Sequence, residues 1–135
     1  MAGYSGTPLF KKLGIREGSR VRVVNPPQHY ESLVAPLPAD VTLSAKLRKD
    51  VDLCHVFVTR ENELRRRLPA LLKIIRQDGC IWVSWPKQGS GVSTDIREGT
   101  IRDVALPMKL VDIKVCAVDE TWSGLKLVIR KEARK

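Results

Sequence analysis

The chain has 135 residues, 24 Lys plus Arg against 15 Asp plus Glu, a formal net charge of +9, 43% hydrophobic residues and 5% aromatic ones. That size and apolar content describe one domain around one core, and no apolar run approaches the roughly 20 residues needed to span a bilayer. Met1 to Thr7 carries neither a charged nor an apolar leader region, so a cytoplasmic protein is expected.

The elements alternate along the chain. Pro8 to Gly14 reads as a short helix, with Thr7 as its cap and Gly14 at its end. Arg20 to Val24 alternates as a strand and stops at Asn25-Pro26-Pro27. A weak helix over 28–34 is ended by Pro36 and Pro38, and Val41 to Ala45 is a second, short strand. Leu53 to Val58 is nearly all apolar, the pattern of a strand covered on both faces. Leu64, Leu68, Leu71, Leu72 and Ile75 then share one face of the strongest helix, with Arg65, Arg66 and Arg67 on its solvent side. Pro69 predicts a kink or restart, and Asp78-Gly79 is expected to close this helix before the strand Cys80 to Trp85.

Pro86 to Gly91 is a loop. Asp95 and Glu98 match a capping box for a helix whose apolar stripe is Ile101, Val104, Ala105 and Met108. Strands over 111–118 and 125–129, joined by the turn Asp119 to Gly124, finish the pattern. Crossover helices between apolar strands predict a Rossmann-like three-layer α/β sandwich with about six strands, mostly parallel. The last strand is expected to run antiparallel, because its link is too short for a crossover. One α/β domain over 1–135 is expected, with a basic tail over about 130–135.

Two resemblances attach to these residues. Leu53 to Arg130, with Asp78-Gly79 before Cys80-Ile-Trp-Val-Ser-Trp-Pro86 and a closing hairpin, resembles the C-terminal half of a class I methyltransferase-like Rossmann fold. Gly3-Tyr-Ser-Gly-Thr-Pro-Leu9, Trp82-Val-Ser-Trp-Pro-Lys87, Ser90-Gly91 and Val115 to Lys131 resemble the bacterial domain-of-unknown-function 3052 family over essentially the whole chain. That family implies no activity. Asn25-Pro26-Pro27-Gln28 also resembles the Asn-Pro-Pro-aromatic motif of amino-methyltransferases, with Gln28 in place of the aromatic.

Ligands of open α/β sheets bind outside the carboxyl ends of the parallel strands. That edge is expected to collect the segment from Gly3 to Thr7, Asn25, Thr59-Arg60, the Lys87 loop and the turn holding Trp122. The expected ligand-binding residues are Asn25, Lys87, Ser90, Gly91, Thr94 and Trp122, suited to a small anion or a protein partner. No cofactor is expected. The first turn has prolines where a glycine-rich loop would offer N–H groups, and the second strand brings no acid for a ribose, so S-adenosylmethionine and nicotinamide are disfavoured.

Catalytic residues are not identified. His29, with Asp119 or Glu120, is the better placed candidate for proton transfer, and His55 lies in a strand without a nucleophile elbow. Cys54, Cys80 and Cys116 form no metal or disulfide spacing, so no metal is expected. The positive charge is densest in the middle third, on Arg60, Arg65, Arg66, Arg67, Lys73 and Arg76. With Lys126, Arg130, Lys131, Arg134 and Lys135 it defines an alternative, a nucleic-acid-associated protein, should both clusters share a face. A degenerate methyltransferase-like enzyme is the third reading. Oligomeric state is left open.

Overall fold

The structure, a computed structural model, describes residues 6–135. Six strands form one mixed sheet in the order β2-β1-β3-β4-β6-β5: β1 (Arg20–Val24), β2 (Thr42–Ser44), β3 (Val51–Phe57), β4 (Ile75–Pro86), β5 (Leu110–Ala117) and β6 (Trp122–Ile129). The first four pair in parallel; β6 runs antiparallel to both β4 and β5. The Rossmann-like, mostly parallel sandwich is therefore present. Among the described residues, no helix is long and apolar enough to cross a membrane.

Helices cover both faces, which explains the nearly continuous apolar runs of β3 and β4. On one face, α3 (Glu61–Ile74) and α4 (Glu98–Ala105) bury Leu64, Leu68, Leu71, Ile101 and Val104. On the other, α1 (Leu9–Leu13) and α2 (Tyr30–Val34) bury Leu13, Tyr30 and Val34 against Leu53, Phe57 and Trp82. The helix α1 ends at Gly14 with φ 90°, a left-handed cap that glycine adopts without strain. Its start lies one residue later than expected, with Pro8 in the capping position.

Pro69 does not break α3, which runs through it. Pro69 is on the exposed side of the helix, while Leu64, Leu68 and Leu71, buried before and after it, hold both halves on the sheet. Nor does Asp78-Gly79 close this helix, because β4 starts at Ile75 directly after it. Gly79 is instead a close-approach residue inside the strand. A Cβ there would lie 2.9 Å from the Asp52 carbonyl oxygen and 3.1 Å from those of Val51 and Arg76.

The expected capping box of α4 is also corrected. Arg97 occupies its capping position, and the Thr100 hydroxyl accepts the Arg97 N–H. Asp95 serves another helix: its Oδ1 accepts the Glu61 N–H at 2.7 Å and so caps α3. Replacing Asp95 with alanine is expected to cost about 1 kcal/mol, with asparagine avoiding most of that loss because it keeps an acceptor oxygen, as read by chemical denaturation. An Asp95→Ala variant as stable as the parent would remove this capping role.

The turn between β5 and β6 is tighter than expected. Trp122, Ser123 and Gly124 belong to β6, in register with Pro86, Trp85 and Ser84 of β4. The outermost strand is β5 and not the last one, and its register slips between Asp112 and Lys114, leaving Ile113 as an extra, exposed residue.

Candidate functional site at the strand ends

The parallel strands β1 to β4 finish at one edge, where β6 begins. The expected convergence is real for Asn25, Thr59-Arg60, Lys87 and the Asp119 turn; Gly3 to Ser5 lie outside the described residues. These segments do not enclose one common pocket. Two depressions open on opposite faces of the sheet, and side-chain bridges run between the segments.

The first depression, about 450 Å³, lies on the α3–α4 face. Trp85 and Ile96 line it together with Lys87, Ser93, Thr94, Arg97 and Glu98. Lys87 and Arg97 take part in no ion pair among the described residues, whereas Glu98 is answered by Arg102, which also reaches Asp112 at 2.8 Å. These hydrogen bonds hold the Asp112 carboxyl below its ordinary range. The Thr94 hydroxyl donates to the Thr59 carbonyl at 2.8 Å and accepts the Ile96 N–H at 3.0 Å, so it ties the loop to β3.

Of the expected ligand residues, then, the structure brings Lys87 and Thr94 together. Ser90 and Gly91 lie in the same loop but do not line this crevice; the Ser90 hydroxyl accepts the Val92 N–H. Arg97 was missed. A capping box on Asp95 and Glu98 puts it inside the helix, two residues past the capping position it occupies.

The second depression, about 320 Å³ on the α2 face, lies between the Pro26-Pro27 turn and the end of β2, with Tyr30, Leu43 and Ser44 in its wall. Bridges connect the strand ends beside it. Asn25, at φ 55°, donates its amide to Glu63 Oε2 at 3.0 Å and to the Phe57 carbonyl at 3.5 Å. His29 Nε2 lies 3.1 Å from Asp119 Oδ2, one of the two carboxylates expected beside it. Asp119 Oδ1 accepts the N–H groups of Thr121 and Trp122, which sets the carboxylate's direction. Trp122 is half-buried and meets Phe57 edge to face with centroids 5.0 Å apart, so it folds over its own sheet.

Beneath Trp122 runs a polar chain that sequence reading did not assemble. The Tyr30 hydroxyl lies 2.8 Å from His55 Nδ1, and His55 Nε2 lies 2.7 Å from Ser84 Oγ. His55 and Ser84 are fully buried, and the imidazole stacks on Phe57. Burial lowers the His55 pKa to about 3 and raises that of the Tyr30 hydroxyl, so both groups are uncharged. A neutral imidazole offers one donor and one acceptor, which serves both neighbours. The available signal was that His55 and Ser84 are the polar residues of two apolar runs in adjacent strands.

The basic residues are dispersed. Arg65 pairs with Glu61 at 2.8 Å, Arg66 and Arg67 with Glu63 at 3.9 Å, and Arg76 with Asp52 at 3.1 Å, while Arg60 donates to Ser93. Lys73 lies apart from these arginines, beside Lys109 and Lys135. Among the described residues, no cluster of His, Cys, Asp and Glu could hold a metal. Burial pushes the Cys54 thiol up to about 12 and Cys80 to about 11, so neither offers a thiolate.

The sheet order, the antiparallel β6 and helices on both faces define a methyltransferase-like Rossmann fold. A putative type 11 methyltransferase from Sulfolobus solfataricus superposes with a TM-score of 0.67 at 11% identity, covering 97% of this chain and 95% of that one. A SAM-dependent methyltransferase from Aquifex aeolicus gives 0.63 at 13% identity, over 90% and 87%. The ribosomal protein L11 methylase of Lactobacillus delbrueckii subsp. bulgaricus gives 0.56 at 10%, over 90% and 75%. Identities this low establish the fold alone. No protein-family model and no curated protein matches the chain.

Proposed function

We propose that this chain is a methyltransferase-like binding module of the domain-of-unknown-function 3052 type, which takes a small anionic ligand in the Lys87 crevice and performs no catalysis of its own. One observation carries the reading. Lys87 and Arg97 face one crevice without carboxylate partners, while at the same edge Asn25 is committed to Glu63 and His29 to Asp119. Two cations beside the start of α4 favour a phosphate or carboxylate group.

The residues present do not fit S-adenosylmethionine, the cofactor named for the Aquifex neighbour. A nucleoside cofactor held at the first strand end needs backbone N–H groups in the turn and an acid after the second strand. Pro26 and Pro27 supply no N–H, Asn25 is bonded to Glu63, and β2 ends at Ser44, followed by Ala45.

A thermal-shift panel of inorganic phosphate, nucleoside phosphates, sugar phosphates, dicarboxylates and S-adenosylmethionine tests the proposal. At least one anion is expected to raise the melting temperature, with its affinity reduced about tenfold or more in Lys87→Ala and in Arg97→Ala. No response to any anion, or responses unchanged in both variants, would overturn it. Stabilisation by S-adenosylmethionine alone would return the chain to the methyltransferases.

A further inference from the structure

At the opposite edge of the sheet, where β4 and β5 begin and β6 ends, a groove of about 420 Å³ opens on the α3–α4 face. Three short segments build it. One wall is the last turn of α3 with Leu72 and Lys73, and the second is the 3₁₀ turn Leu106–Met108 that follows α4, with Lys109 after it. The third wall is the tail. The Arg130 N–H donates to the Lys109 carbonyl at 2.9 Å, Arg134 Nε to the Ile129 carbonyl at 3.0 Å, and the Lys135 N–H to Gln77 Oε1 at 3.0 Å. The basic tail is thus folded back over the start of β4 and the end of β6, in one groove with the last turn of α3.

The chemistry of the groove is two-part. Leu72, Met108 and Ile129 form an apolar floor, and Lys73, Lys109 and Lys135 stand exposed around it. No Asp or Glu is among the described residues that line it. Leu106, 46% exposed, lies in the 3₁₀ turn that forms the second wall. None of the three lysines takes part in an ion pair among the described residues, so the rim presents positive charge that an anionic partner can meet.

From this charge pattern we infer that the groove docks an acidic amphipathic helix of a partner protein. Its apolar side chains, spaced three and four apart, fill the floor, where the flexible Met108 adapts to their shape, and its carboxylates meet the lysine rim. A nucleic acid satisfies only half of this surface. Phosphates pair with lysines, but a sugar–phosphate backbone brings nothing apolar to desolvate the floor. The arginines of α3 and Arg76 of β4 do not extend the rim into a phosphate track either, because Arg65 and Arg76 each pair with a carboxylate and Arg66 and Arg67 share Glu63. The inference is independent of the Lys87 crevice, which lies at the other edge.

Selection from a display library of random 16-residue peptides on the full chain tests it, followed by affinity measurement of the enriched peptides. Enriched sequences are expected to be net acidic with apolar residues at helical spacing. They should bind Lys73→Glu/Lys109→Glu at least tenfold more weakly than the parent. Lys46→Glu/Lys49→Glu, the same charge change on exposed lysines elsewhere, should bind within about twofold of the parent. Met108→Glu probes the floor separately and should also lose binding, with thermal melting confirming that every variant is folded. No enrichment, enrichment without acidic bias, or equal loss in both double variants would overturn the inference. So would a 20-base-pair duplex that binds more tightly than any peptide and is lost on Lys73→Glu/Lys109→Glu, an outcome that assigns the groove to nucleic acid.

Discussion

Trp82→Ala is expected to lower the unfolding free energy by about 3–5 kcal/mol, the range for deleting a large aromatic from a packed core. Trp82 has no exposed surface and lies in β4, with β3 on one side and β6 on the other. Its ring packs beside Gly124 so closely that a Cβ there would come within 3.2 Å of Cε3, leaving little means of closing the cavity. Its indole Nε1 also donates to the Leu13 carbonyl at 2.8 Å, which ties α1 to the sheet. Trp82→Phe separates the two contributions, because it keeps most of the ring and removes the donor. It should cost less, with the buried carbonyl left unpaired accounting for about 1–3 kcal/mol. Urea denaturation of both variants is the measurement. A loss below about 1 kcal/mol in Trp82→Ala would show that the core does not depend on this ring.

The second large effect is acid lability centred on His55. An unfolded histidine titrates near pH 6.5, whereas burial holds the folded one at about 3. Between these values the unfolded chain takes up a proton that the folded chain refuses, so stability falls as the pH is lowered. The His55 contribution is complete above about pH 6.5 and is lost toward pH 3, with a limiting slope of about 1.4 kcal/mol per pH unit. From pH 7.5 to 5 the loss expected from this residue is about 2 kcal/mol. Protonation would make both ring nitrogens donors, so Tyr30 and Ser84 would both have to act as acceptors. Denaturation series at several pH values on the parent, His55→Gln and the control His29→Gln measure it. The slope should shrink in His55→Gln and persist in His29→Gln; equal slopes in all three would place the acid sensitivity elsewhere.

Much of this fold is legible because each strand and the main helix carry their own periodicity. Leu64, Leu68 and Leu71 announce α3 without reference to any other segment, and Leu53 to Val58 announces a strand covered on both faces. Features that depend on distant partners are harder to read. Asp95 looks like a cap for the helix beside it, yet the donor it satisfies is Glu61, 34 residues away. A hairpin-length link implies antiparallel pairing of β5 and β6 but does not say which of them joins β4. Pro69 shows the opposite error, since a strong local signal yields to buried leucines on both sides of it.

The candidate site was legible at the level of the sheet edge, because strand direction alone brings Asn25, Lys87 and Asp119 there. Which face each loop would serve was not, and so Lys87 and Trp122 were grouped across a sheet that separates them. His29 and Asp119 could be paired from their positions at neighbouring loop ends. The Tyr30–His55–Ser84 chain needed the register of β3 against β4, which sets Ser84 opposite Phe57, two residues along from His55.

Because β6 is inserted between β4 and β5, the order of synthesis and the order of the sheet disagree. A chain emerging from the ribosome presents the outer edge of β4 long before its neighbour exists, and β5 is made first yet has nothing to pair with until β6 follows. Both edges stay open to other nascent chains until Ile129 has cleared the exit tunnel, and a product cut short after Ala117 would keep them open permanently.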